Sequence, residues 1–201
     1  RSFCAGRRIP FHLYSAEVDT AGGRGLEDAA RRARRAAFRR AARELGAEAI
    51  ALAHTRDDQA ETVLMRLFEG AGPRGLSGIS GRTPLGMEPA GSKTQEVIIV
   101  RPLLDVSREE VIAYLEARGA EWVEDETNAD EARLRNLIRR KVLPVIRENL
   151  GEFVAGRIAA SAAHLSSVNE AIGGWVVRAR KDFLTIEGGN VRIFPLSEVS
   201  L

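Results

Sequence analysis

The chain predicts an open α/β fold, a parallel sheet flanked by helices. Three observations carry that prediction. Two short apolar runs, Ala49-Ile50-Ala51-Leu52-Ala53 and Val97-Ile98-Ile99-Val100, lie between helical patterns. Both runs are continuous rather than alternating, which marks strands covered on both faces. At the end of the first run the chain turns polar, reading His54-Thr55-Arg56-Asp57-Asp58-Gln59-Ala60-Glu61-Thr62. Strand C-termini and helix N-termini converge where such sheets bind ligands, so this junction is the leading candidate site.

The elements follow in order. Phe11 to Val18 alternates and predicts a strand. Thr20 to Gly25 is a glycine-rich loop. Glu27 to Leu45 spaces alanines among arginines and predicts a helix, with Gly46 as its stop. Ala49 to Ala53 is expected to be a buried parallel strand, because helices precede and follow it. Thr55 is an N-cap, and Asp58, three residues on, completes a box-like pair. The helix they open runs to about Phe68, with Ala60, Val63, Leu64 and Leu67 facing inward. Asp57, Asp58 and Glu61 lie together beside that stripe.

Gly70 to Gly81 is a glycine-rich loop. Its Gly70-x-Gly72-x-x-Gly75 pattern is no dinucleotide fingerprint, since it follows a helix and the fingerprint needs a strand before it. Gly86 to Gln95 is an exposed turn. Ser107 and Glu110 form a capping box for a helix closed by Gly119. Trp122 to Asn128 is an acidic connector. A helix from about Ala132 turns Leu134, Leu137, Ile138 and Val142 inward and puts Arg133, Arg135, Asn136, Arg139 and Arg140 on its other side. From Gly151 the character changes. Ile158, Leu165, Val168, Ile172, Trp175 and Val176 keep helical spacing, and Gly188-Gly189-Asn190 then signals a hairpin. The expected division is residues 1–147 and 148–201, the second part opening a smaller, mainly helical domain.

Composition narrows the function. Cys4 is the single cysteine among 201 residues, so neither an internal disulfide nor a C-x-x-C pair is available. That favours a reducing compartment and a cytoplasmic location. No apolar run approaches the roughly 18 residues of a membrane span. Net charge is only +2, yet Arg24 to Arg43 holds eight arginines against Glu27 and Asp28. Glu131 to Arg147 is a second basic segment. Two such helices are compatible with a nucleic-acid partner or with solvated arginine-rich faces. The opening Arg1 to Gly6 resembles the tail of a helix under way, and the end stops as a new element starts, so the sequence is read as a fragment.

The residues alone leave several roles open. Asp58 and Glu61, one helical turn apart, can present two oxygens to one metal ion, or can complement a helix N-terminus. His54 can hydrogen-bond a phosphate, or be a strand-end histidine satisfied by backbone. Arg135 and Arg139 share a face at i,i+4, suited to RNA backbone or to balancing nearby acids.

His54 to Thr62 resembles the G-H-H-x-D-D-x-x-E-T signature of PP-loop ATP pyrophosphatases that act on tRNA. Four further segments are similar to the tRNA(Ile)-lysidine synthase family. They are Phe68 to Ile79, Arg101-Pro102-Leu103-Leu104 with Arg108 and Tyr114, Trp122-Val123-Glu124-Asp125 with Asn128 followed by Arg135-Asn136-Leu137-Ile138-Arg139 and Leu143-Pro144, and Glu27 with Ala30-Arg31 and Arg34. The resemblance spans roughly residues 1–147. The family's S-G-G-x-D-S loop is absent from these residues. Ala53 stands where glycine is usual, Arg35 where tyrosine is usual, and Glu69 where the glycine loop carries arginine.

The resemblance implies a PP-loop fold and an ATP-dependent ligase. ATP adenylates carbon 2 of the wobble cytidine, and free lysine displaces AMP to form lysidine. It implies ATP and Mg²⁺ as cofactors, with Asp58 and Glu61 as metal ligands, and tRNA(Ile) with a CAU anticodon and lysine as partners, with no membrane. A homodimer is left open. It assigns His54, Asp58 and Glu61 to catalysis, Arg31 and Arg101 to the nucleotide, and Arg108, Arg135, Asn136 and Arg139 to tRNA or substrate. Without the phosphate loop, these residues alone are expected to be inactive. The alternatives are a tRNA thiolase of the same superfamily, which relies on paired cysteines, and a non-catalytic RNA-binding module.

Overall fold

Two helices open the chain in the computed structural model: α1, Ser2–Gly6, and α2, Gly25–Leu45. The structure describes residues 1–18, 25–85, 96–123, 134–187 and 190–193. They fall into two units, Arg1–Ala53 with Gly81–Pro102, and His54–Ser80 with Leu103–Leu201. The expected loop at Thr20, the turn from Gly86 and the connector from Glu124 lie outside the described residues.

In the first unit, α2 forms because alanine and arginine are strong helix formers. It buries Ala29 and Ala42. Gly46 stops it at φ +64°, with the Ala47 N–H donating back to the Ala42 carbonyl. A left-handed residue there is what glycine tolerates without strain. The sheet has three strands: β1 Ala49–Ala51, β2 Arg82–Pro84 and β3 Ile98–Val100, in the order β1-β3-β2. β1 runs parallel to β3 with Ile50 opposite Ile99. Ile99 and Leu85 are buried.

Three expectations change here. The sheet is mixed, because β2 pairs antiparallel to β3. Arg82-Thr83-Pro84 carries no apolar signal, and Pro84 lacks an N–H, so the sequence of this polar edge strand does not announce it. Phe11 to Val18 has no strand structure, and Phe11, Leu13 and Val18 are exposed. Alternation makes a strand only where a neighbour completes its hydrogen bonds, and no described strand pairs with it. Ala49 and Ala51 in β1 are exposed rather than covered on both faces.

The second unit is helical. It contains α3 (Arg56–Phe68), α4 (Pro73–Leu76), α5 (Arg108–Glu116) and α6 (Leu134–Leu137). α6 passes through a wide π turn at Ile138–Val142 into α7, Leu143–Leu150. The long α8, Val154–Phe183, follows. β4 (Leu184–Glu187) and β5 (Asn190–Ile193) form the expected hairpin, with Glu187 opposite Asn190.

Ala60, Leu64, Ile138, Leu143 and Ala155 make the core of this unit, with Met65, Val142, Ile146 and Ile158 packed against it. Fully burying a leucine or isoleucine such as Leu64, Ile138 or Leu143 contributes about 1.5–3 kcal/mol, and an alanine less. Leu67 and Leu134, expected inward, are exposed. Asn136, expected outward, is buried. α8 packs against α3, α4 and α7, and the expected boundary near residue 147 falls inside this unit. Val168, Ile172, Trp175 and Val176 keep helical spacing but face outward.

Candidate active site

The site begins with the cap of α3. Thr55 has extended backbone, and its Oγ1 accepts from the Asp58 N–H at 3.4 Å. Asp58 Oδ2 in return accepts from the Thr55 N–H at 2.8 Å and the Thr55 hydroxyl at 2.9 Å. This reciprocal capping box fixes the rotamer of Asp58 and leaves its Oδ1 facing away from the cap. One turn on, Glu61 is only 1% exposed, on the buried side of α3 rather than beside it.

A buried carboxylate needs compensating charge. It comes from α6 and the π turn. Arg135 Nε donates to Glu61 Oε2 at 2.9 Å, and Arg135 Nη2 to Asp58 Oδ1 at 2.8 Å. Arg139 Nε donates to Glu61 Oε1 at 2.5 Å, and its Nη2 to Oε2 at 2.9 Å. Arg139 Nη2 also lies 3.4 Å from Asp58 Oδ1. Two motifs more than seventy residues apart in sequence therefore close into one network. Charge-assisted, two-pronged pairs of this kind fix direction as well as energy.

The electrostatics follow from these contacts. Burial alone would raise the Asp58 pKa. The Thr55 N–H and hydroxyl, then Arg135 and Arg139, outweigh it and hold the carboxyl below its usual range. The hydrogen bond to Glu61 raises Arg139 above the ordinary guanidinium value, against the opposing effect of its burial. Both shifts favour the charged forms of Asp58 and Arg139.

Asp57 points to a different set of partners. Its Oδ2 accepts the Arg108 backbone N–H at 2.7 Å, at the start of α5, and its Oδ1 pairs with Arg147 of α7. Arg147 also reaches Glu109 at 3.3 Å. Arg147 was no sequence candidate. Its only signal was membership of the second basic segment, which does not say which arginine finds a buried acid.

The glycine loop is tied down by side chains of α3 and α8. Gln59 donates from Nε2 to the Ile79 carbonyl at 3.1 Å, and its Oε1 accepts the Ile79 N–H at 2.5 Å. Arg66 Nη1 donates to the carbonyls of Gly75 and Gly78 at 2.7 and 2.6 Å. Asn169 donates to the Pro73 carbonyl and to Ser77. Gly78 sits at φ +67°, and a Cβ there would lie 2.4 Å from Gln59 Oε1.

Of the predicted residues, the second unit brings together Asp58, Glu61, Arg135 and Arg139. His54, half-buried, precedes the capping Thr55. Asn136 is buried on α6, and the Arg108 side chain is exposed on α5. Arg31 and Arg101 belong to the first unit. There Arg101 Nη1 donates to Thr83 Oγ1 at 3.1 Å.

The metal expectation meets a full donor set. Both Asp58 oxygens and both Glu61 oxygens already accept from Thr55 or from arginine. A divalent ion would have to displace Arg135 or Arg139. The two carboxylates as arranged fit guanidinium groups, not Mg²⁺. Among the described residues, no three His, Cys, Asp or Glu side chains gather to hold a metal, and no helix is long and apolar enough to cross a membrane.

Comparison with known proteins gives the same outline. The profile of a family described as PP-loop domain matches residues 1–146. A tRNA(Ile)-lysidine synthase of Chromobacterium violaceum is 40% identical over 76% of this chain and 32% of its own length. That of Parabacteroides distasonis is 38% identical over 99% of this chain and 44% of its own length. That of Geobacter sulfurreducens is 44% identical over 83% and 33%. The chain thus spans about a third to under half of these relatives. A solved U34-tRNA thiolase of Methanococcus maripaludis, bearing a 4Fe-4S cluster, superposes with a TM-score of 0.60. It is 16% identical over 82% of this chain and 53% of its own. That likeness concerns the fold alone.

Proposed function

Because this chain belongs to the PP-loop domain family, we propose that it is part of an ATP-dependent ligase that forms lysidine at the wobble cytidine of tRNA(Ile). The carrying observation is the Asp58–Glu61–Arg135–Arg139 network, which joins two of the motifs that carry the resemblance in one cluster around the buried Glu61. The relatives' names support the same reading.

In the proposed reaction, the carbon-2 oxygen of the cytidine attacks the α-phosphorus of ATP and pyrophosphate leaves. The lysine ε-amine then adds to carbon 2, a proton is lost, and AMP departs with its oxygen. Negative charge grows on phosphate oxygens in the first step, and fixed cations lower its barrier. Asp58 and Glu61 serve by holding Arg135 and Arg139 in place. His54 is assigned a hydrogen bond to the transferring phosphate, Arg31 and Arg101 to the nucleotide, and Arg108 and Asn136 to tRNA or lysine. Mg²⁺ belongs to the proposal as the companion ion of ATP, with Asp58 and Glu61 not assigned to it. CAU-anticodon tRNA(Ile), free lysine and a cytoplasmic location complete the reading.

The test is pyrophosphate release and incorporation of labelled lysine into a tRNA(Ile) transcript. It is run on a protein carrying these residues behind an S-G-G-x-D-S loop. Label fixed at the wobble cytidine is expected. ATP turnover with sulfur entering the tRNA, or binding without turnover, would overturn the reading.

A further inference from the structure

On α2, Arg31, Arg35 and Arg39 recur every fourth residue, so they share one face of the helix. Arg35 Nη2 donates to the Leu85 carbonyl at 2.6 Å and lies 3.3 Å from that of Pro84. Arg39 Nη2 converges on the same Leu85 oxygen at 3.2 Å. Two guanidinium groups thus share one neutral acceptor. Neither pairs with a carboxylate among the described residues, while the nearby acids Asp28 and Glu44 are taken by Arg32 and Arg40. Arg39 Nε is buried and has no hydrogen-bond partner. Burial, then Arg39 and Arg31, lower the Arg35 pKa, and burial, then Arg35 and Arg31, lower that of Arg101.

Half-buried cations held by carbonyls and repelling one another are unfavourable unless an anion joins them. A planar guanidinium offers paired N–H groups that match phosphate oxygens. We propose that Arg35 and Arg39, with Arg31 and Arg101 beside them, form a phosphate-binding site on the first unit. It takes the phosphate groups of RNA backbone or of a nucleotide polyphosphate. The site extends the proposed function, on which it rests for its ligand, beyond the residues that the family motifs mark: Arg35 stands where tyrosine is usual.

Binding is measured directly on this chain, with inorganic tripolyphosphate and with an anticodon-stem-loop RNA. Arg35→Gln/Arg39→Gln is expected to weaken one or both ligands at least tenfold. If RNA is the ligand, the salt dependence should lose roughly two phosphate contacts, a slope change of about 1.5. Without ligand the variant should still unfold in one cooperative transition, so that the loss of binding is read on a folded chain. Loss confined to tripolyphosphate assigns the site to nucleotide, and loss confined to RNA assigns it to backbone. Unchanged affinity for both would overturn the proposal in favour of a purely structural role. Phenylglyoxal labelling of the unaltered chain gives a second reading that needs no variant. Arg35 and Arg39 should be protected by the bound ligand, and equal labelling with and without it also overturns the site. Neither measurement requires lysidine formation, so failure here is separable from failure of the enzymatic reading.

Discussion

Arg139 holds Glu61 with two nitrogens, Nε at 2.5 Å from Oε1 and Nη2 at 2.9 Å from Oε2. Arg135 adds a third contact to the same carboxylate. The pair makes Glu61, which reads in sequence as a helix-surface acid, the anchor between α3 and α6.

Glu61→Gln should therefore cost about 3 kcal/mol, because it leaves two guanidinium groups against a neutral amide in a desolvated place. Urea unfolding measures it. The double variant with Arg139→Gln should cost clearly less than the sum of the two singles. Strict additivity would mean that the two side chains do not interact.

Arg139→Lys keeps the charge and loses the fork. If the proposed function holds, it should lower lysine transfer by the full-length protein at least tenfold while leaving folding largely intact, as the geometric reading of the pair requires. Full activity in the lysine variant would show that charge alone suffices.

Asp58 carries a pH signature. Its folded pKa is depressed below the ordinary Asp value of about 3.9. The stability it contributes is thus present above about pH 4 and is lost as pH falls through the lower folded value. Thr55→Val removes the hydroxyl donor, should cost about 1 kcal/mol as a lost cap, and should move the acid loss to higher pH. Stability curves from pH 2 to 6 for both proteins check this. Coincident acid limbs would contradict the cap's role in the charge.

Gly78→Ala should destabilise the glycine loop by about 1–3 kcal/mol. The residue sits at φ +67°, and its new Cβ would overlap the Gln59 amide. Gln59→Ala in the same chain should relieve the overlap but not the backbone strain, so that melting temperature recovers only in part. Complete recovery would place the whole cost in the side-chain clash.

Local chemistry was legible in the sequence because it acts over a few residues. Thr55 with Asp58, and Ser107 with Glu110, form the capping boxes their spacing implies. Gly46 ends α2, and the last two strands pair antiparallel with Glu187 opposite Asn190. The parallel pairing of β1 with β3 followed from apolar runs separated by helices. Phe11 to Val18 shows the limit, since alternation says which faces a strand would have but supplies no neighbour to complete its hydrogen bonds.

The sequence by itself determined that Asp57, Asp58 and Glu61 start one helix and that Arg135 and Arg139 share one turn spacing. Only the tertiary structure decided which acid meets which base. Glu61 took Arg135 and Arg139, Asp57 took Arg147 and the Arg108 backbone, and Asp58 divided itself between its cap and the arginines. The reason is physical. Helical periodicity fixes direction within an element, whereas the partner of a buried charge depends on which elements pack together and exclude water there, and that is settled by the core of Ala60, Leu64, Ile138 and Leu143.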